Sequence, residues 1–261
     1  MLSTLPSYSE AEVSERRERV GRGLLQSSRH VRAHDFRAIS ADDLATLFAL
    51  YDEHFFTGGL GRLVNQRGNG ALTFRLAPRA RRSGGSTIRI SRPHPQLGRA
   101  VPVHSYQITL SSSLLFMSFN DASRPVVVCG HGCASRLDAT LRIFEHELIH
   151  LSELLLTGRS SCKGTPFHEA ARRVFAHRGW THGLVLPEER ALLDHGVRVG
   201  DRVRFSFRGE ELLGRVNRIH RRATVLVERA DGQRYTDGKR YARFYVPLSA
   251  LERADDGRPA K

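Results

Sequence analysis

Lysine is nearly missing from this chain. Of its 41 cationic residues, only Lys163, Lys239 and Lys261 are lysines, so the positive charge is almost wholly arginine. Cysteine is also scarce: Cys129, Cys133 and Cys162 are an odd and sparse set. That count excludes a disulfide framework and suits a reducing, cytoplasmic compartment. No segment approaches the roughly eighteen consecutive apolar residues of a membrane helix. The N-terminal MLSTLPSYSEAEVSERRERV lacks the basic-then-apolar layout of a secretory signal. Long internal repeats and low-complexity tracts are absent too, which excludes solenoids and repeat arrays.

What is present is ordinary in bulk and unusual in charge. Apolar residues make up 40% and charged residues 26% of 261 positions, enough for one sizeable core and a smaller second module. The net charge is +14 with a sequence pI near 10.8. Such a surface attracts polyanions, nucleic acid first. Arginine-rich composition is equally compatible with guanidiniums that are merely solvated.

Residues 1–35 are polar and rich in Arg and Ser, and read as an N-terminal extension, weakly ordered or docked on the main domain, with a short helix over Glu10–Gln26. A firmer helix follows, capped by Ser40 with Asp43 and lined by Leu44, Leu47, Phe48, Tyr51 and Phe55 at helical spacing. Gly58 and Gly59 stop it. ALTFRLAPR (71–79), SGGSTIRIS (83–91) and HSYQITLSS (104–112) read as three strands of a small, mainly antiparallel sheet. The central helix is capped by Ser135 with Asp138 and closed by Gly158. Its core stripe is Leu141, Phe144, Leu148, Leu151 and Leu155. A further helix is expected over Pro166–His177.

Within the central helix, FEHELIHLSEL places two histidines and three glutamates in an apolar run. His146 and His150, four residues apart, project the same way about one turn apart. Two imidazole nitrogens so placed can converge on one zinc ion at about 2.0–2.1 Å each. Glu147, one step round, can act as general base toward a water on that ion without occupying it. This HExxH pattern is a known metallopeptidase signature. A zinc hydrolase needs a third protein ligand, and residues 158–182 are where it is expected.

Over residues 40–180 the chain resembles the SprT-like zinc metallopeptidases, the group that includes Spartan-type proteases of DNA–protein crosslinks. The resemblance rests on LFALYDEHFFTGGL (47–60), Gly84 and Gly85 before a strand, ITLSSSLL (108–115), HELIH itself and GTPFHEAARRV (164–174). It implies a minimal zincin-like domain over 36–185, a zinc cofactor and a protein substrate. The family's usual third ligand is a histidine in His-Gly-x-x-Phe; here Lys163 occupies that slot. Cys162, adjacent and able to bind zinc as a thiolate, is the provisional third ligand, with His168 as the alternative. Cys129 and Cys133, in CGHGC with His131, lack the paired spacing of a zinc ribbon and read as packing residues.

Residues 186–196 read as a linker with a short helical segment after Pro187, and 254–261 as a disordered tail. Between them, Val197–Arg253 carries four or five short β-like runs, read as a small SH3-like β-barrel. It holds fourteen Arg or Lys against seven Asp or Glu. Arg221, Arg222, Lys239, Arg240 and Arg243 are its candidate nucleic-acid contacts, interleaved with aromatics that suit base stacking. Those aromatics serve equally as a barrel core, and a protein-binding role stays open. The whole is therefore expected to be an α+β zinc-dependent endopeptidase, with DNA-bound or crosslinked proteins as a substrate class. The alternative is a zinc-stabilised nucleic-acid-binding protein with little or no protease activity. Neither reading involves a membrane.

Overall fold

The structure is a computed structural model and describes residues 2–68, 71–79, 83–96, 99–120 and 124–254. The chain is α+β, with seven α-helices and three small sheets among the described residues. It divides into two compact units, Met1–Leu184 and Val185–Lys261. No helix is long and apolar enough to cross a membrane among those residues.

In the first unit, α1 (Glu10–Ser27), α2 (Ala41–Phe56) and α3 (Gly59–Gly68) precede the strands β1 (Leu72–Leu76), β2 (Gly85–Gln96) and β3 (Arg99–Leu110). Of the two forms expected for the N-terminal segment, weakly ordered or docked, the structure has the docked one. Ser9 and Glu12 form a reciprocal capping box, and Val13, Val20 and Leu24 are buried along one face of α1. Arg17 completes that face, and its partner, Glu145, lies 128 residues away in sequence. α2 starts at the expected Ser40–Asp43 capping box and buries Leu44, Leu47, Tyr51 and Phe55.

The sheet order is β1-β3-β2. β2 and β3 form an antiparallel ribbon, but β1 runs parallel to β3, so the sheet is mixed rather than mainly antiparallel. Tyr106, Ile108 and Leu110 on β3 are buried, which suits the central position. The strand expected over 104–112 ends at Leu110, and the chain turns at Ser111, whose hydroxyl accepts a bond from the Leu114 amide and starts α4 (Ser112–Ser118). A serine run offers such local caps in competition with the ladder.

β4 (Val126–Val128) and β5 (His131–Cys133) make a hairpin closed by Cys129 and Gly130, with φ of 51° and 80°. Positive φ at both turn positions matches the twist of the flanking strands. For Cys129 it is unusual, and for Gly130 it is enforced, because a Cβ there would lie 2.8 Å from the Arg178 backbone. The central helix, α5 (Arg136–Thr157), begins at the Ser135 cap and ends at Gly158 in the left-handed conformation. Its stripe from Leu141 to Leu155 is buried as expected. Each such side chain contributes roughly 1.5–3 kcal/mol. α6 (Thr165–Phe175) and β6 (His182–Gly183) follow, the latter paired with β4.

In the second unit the expected linker is a helix, α7 (Pro187–His195), whose Ala191 joins the unit's own core. Pro187 at its first turn and Gly196 just past its end account for its limits. Strands β7 (Arg202–Phe207), β8 (Glu210–Ile219), β9 (Ala223–Arg234), β10 (Arg240–Val246) and β11 (Glu252–Arg253) form one antiparallel sheet in the order β10-β9-β8-β7-β11. Val203, Phe205, Val216, Ile219 and Val225 fill its inner face. Among the described residues the sheet is open, not a closed barrel. Apart from Ala254, the tail expected over 254–261 lies outside the described residues.

Candidate metal centre

α5 is the element that builds the site, and its three glutamates answer three different needs. Glu145 faces away from the histidines and is fully buried. Arg17 on α1 grips it with two bonds, Nε to Oε1 at 2.6 Å and Nη2 to Oε2 at 3.0 Å. Tyr51 on α2 donates to Oε1 at 3.0 Å, and His177 Nε2 lies 2.9 Å from Oε2. Burial alone pushes the Glu145 carboxyl up, but Arg17 and His177 outweigh it and hold the group down at about 2. Arg17 also donates to the Phe175 carbonyl at 3.0 Å. This buried cluster joins α1, α2 and the end of α6 to the helix that carries the histidines.

Glu153, the third glutamate, accepts from the Ser160 hydroxyl at 2.6 Å and from the Ser161 amide at 3.1 Å. Ser160 Oγ in turn lies 2.6 Å from His150 Nδ1. Because the single Ser160 hydrogen goes to the carboxylate, His150 donates from Nδ1, and its Nε2 keeps a bare lone pair. That lone pair lies 3.1 Å from His146 Nε2. On its other side His146 Nδ1 lies 3.8 Å from Cys129 Sγ. Phe167 from α6 packs under both imidazoles, with ring centroids 4.8 and 4.6 Å away. Burial lowers both histidines, His150 to about 4 and His146 well below the usual imidazole range, where His182 and His150 add to the effect. Both rings are thus neutral, the form that ligates metal.

Glu147 sits under the start of β2. Its carboxylate accepts from the Thr87 hydroxyl at 2.8 Å. A Cβ at Gly85 would stand 2.6 Å from Glu147 Oε1, so only glycine lets the strand pass this closely over the carboxyl. Burial pushes Glu147 up to about 8 against the lowering effect of Thr87. Without a nearby cation it is a neutral acid at pH 7.

Two overlapping donor sets share His146. His146, His150 and Cys162 place one ligand atom each within 4.8 Å of one another, and so do Cys129, His146 and His182. The fit to a zinc ion can be tested on distance. Two nitrogens about 2.0–2.1 Å from one ion at the tetrahedral angle lie about 3.3 Å apart. The observed 3.1 Å between the two Nε2 atoms matches that, and the Cys162 sulfur belongs to the same cluster. Donor chemistry agrees: two imidazoles and a thiol form a zinc set, and hard cations prefer oxygen.

Of the residues singled out from sequence, the structure brings together His146, His150 and Cys162; Glu147, on the same helix, faces Thr87 and Gly85 of β2. His168 is not brought in: its Nε2 bonds the Cys162 carbonyl at 2.7 Å and its ring stacks on Trp180 at 3.6 Å. Lys163, at the slot where the resemblance expects a ligand, is exposed. Sequence reasoning missed Cys129 and His182 as neighbours of His146. The His182 ring lies 4.4 Å from that of His146, and its buried Nε2 has no hydrogen-bond partner. The spacing between residues 129, 146 and 182 carries no periodic signal; only the pairing of β6 with β4 joins them. Comparison with protein-family models, with curated proteins and with solved structures finds no match. The chemistry of the site therefore rests on its own geometry.

The five cations singled out in the second unit are scattered. Arg221 and Arg222 stand exposed at the β8–β9 turn. Lys239 pairs with Glu228 at 2.7 Å, and Arg240 donates to the Gly232 carbonyl at 3.1 Å. Arg243 bonds Gln233 on the outer face of β10.

Proposed function

We propose that this chain is a zinc-dependent endopeptidase of the SprT-like kind, built on a zincin-like first unit with an SH3-like second unit that associates with nucleic acid. The observation that carries the reading is the pair of opposed Nε2 atoms of His146 and His150, 3.1 Å apart, with Cys162 in the same cluster. His146, His150 and Cys162 would hold the ion. When bound, zinc supplies Lewis acidity: it polarises a carbonyl and acidifies water.

The rest of the mechanism falls to the protein. Glu147 takes the proton from the attacking water and passes it to the leaving amine. Burial raises that carboxyl in the metal-free chain, and a bound cation beside it would lower it again, leaving it ionised to act as a base. Thr87 holds one carboxylate oxygen, and Gly85 leaves the other uncovered by a side chain. The Glu153–Ser160–His150 chain fixes the tautomer of one ligand. Three free thiols suit the cytoplasmic compartment read from composition.

A second reading, zinc-stabilised nucleic-acid binding without turnover, is favoured by Cys129 and His182. These extra donors beside His146 could fill the position that a hydrolase keeps open. Incubating the zinc-loaded chain with an unfolded protein substrate separates the two. Cleavage that disappears in Glu147→Gln while zinc is retained supports the peptidase; undiminished turnover in that variant refutes the mechanism, and zinc without any cleavage supports the second reading.

A further inference from the structure

The outer face of the second unit has a groove of about 820 Å³ across β8, β9 and β10. Arg218, Arg234 and Arg243 line it together with Tyr235 and Tyr245, and no carboxylate does. The register explains the convergence. Thr224 on β9 pairs with both Arg218 on β8 and Tyr245 on β10, which sets these three positions in a row across the strands. Arg243 lies two residues from Tyr245 and so shares its face, while Phe244 and Val246 turn to the core.

Two features of this face are unexplained by folding. Tyr245 is 66% exposed, the most exposed of the large hydrophobic side chains in the described residues. Arg218 and Arg234 make no ion pair or side-chain hydrogen bond within the described residues, although Arg229 and Arg253 on the same sheet, and Lys239 in the turn before β10, all pair with carboxylates. Guanidiniums gathered without a counter-charge repel one another, and an anion relieves that cost. Asn217 and Gln233 add amide donors and acceptors at the rim.

We propose that this groove binds single-stranded nucleic acid, with Arg218, Arg234 and Arg243 on phosphates and Tyr245 as a stacking platform for a base. Tracking guanidiniums beside an exposed ring form the pattern that single strands need; in a duplex the bases are stacked away from such a ring. The inference specifies the nucleic-acid part of the proposed function. It fails independently of the peptidase part, because its test reads binding and not cleavage.

The test uses the full-length zinc-loaded chain and fluorescence anisotropy with labelled dT and rU oligonucleotides, a DNA duplex and poly-glutamate, over a salt series. The expected result is tighter binding of at least one single strand than of duplex or poly-glutamate. Tyr245→Ala should weaken that binding about 5- to 150-fold. Replacing Arg218, Arg234 and Arg243 together by Gln should flatten the log–log salt slope by about 2, since each lost phosphate contact removes about 0.7. All four side chains lie on the surface side of the sheet, and unchanged melting and zinc content check that the variants fold. A preference for dT over rU, or the reverse, identifies which single strand is the ligand. Absence of single-strand binding at low salt, binding untouched by these substitutions, or preference for duplex or poly-glutamate would each overturn the assignment.

Discussion

Glu147→Gln tests the electrostatics of the site before any substrate is known. In the folded, metal-free chain the Glu147 carboxyl titrates at about 8, raised by burial from 4.5. Between those values the native state holds a proton that the unfolded state has released, so stability falls as pH rises from about 4.5 to about 8. Below 4.5 the group contributes no difference. At pH 7 the gap spans about 2.5 pH units at about 1.4 kcal/mol each, on the order of 3 kcal/mol. Glutamine keeps the shape and the bond from Thr87 but cannot ionise, so it removes this cost. Urea denaturation of chelator-treated wild type and Glu147→Gln at pH 5, 6 and 7 reads the difference, and other titrating groups cancel. The variant should gain little at pH 5 and on the order of 3 kcal/mol at pH 7. A gap that is constant across this range would refute the reasoning, for it would mean that the carboxyl is not held neutral by burial.

Other consequences follow from the same elements. Arg17→Ala leaves Glu145 charged and buried without its main partner, and should cost about 3–5 kcal/mol in a urea titration; a loss below 1 kcal/mol would show that the ion pair does not anchor α1 to α5. Ser160→Ala and Glu153→Gln release the tautomer of His150 and should weaken zinc affinity about 10- to 100-fold in competition with a chromophoric chelator. Ser160→Thr should restore it, and unchanged affinity in the alanine variant would remove Ser160 from the account.

How far the sequence reveals this differs by element. α5 is legible throughout, since its cap, its stripe and its glycine stop are all local signals. So is the pairing of His146 with His150, because four residues on a helix leave no choice of direction. Gly84 and Gly85 are visible as a turn signal, but the close approach of Gly85 to Glu147 and of Gly84 to His182 is encoded by no local pattern. α1 is legible as a short helix but its docking is not, because Arg17 sits where an apolar residue would announce a core face. Its partner Glu145 is visible only once the chain has folded. The parallel pairing of β1 with β3 is likewise non-local, since strand periodicity carries no direction. Cys129 and His182 reach His146 through a hairpin turn and a two-residue strand, elements too short to read. Tyr245 and Phe244 are adjacent aromatics, and the sequence alone does not say which of them points into the core.

The most direct test of the central claim is metal content and ligand type in the purified chain, by elemental analysis with zinc-edge X-ray absorption. The account predicts one zinc per chain held by two imidazole nitrogens and one thiolate sulfur, lost in His146→Ala and His150→Ala. Protein that binds no zinc when it is offered, or zinc that remains after both histidines are removed, would contradict it.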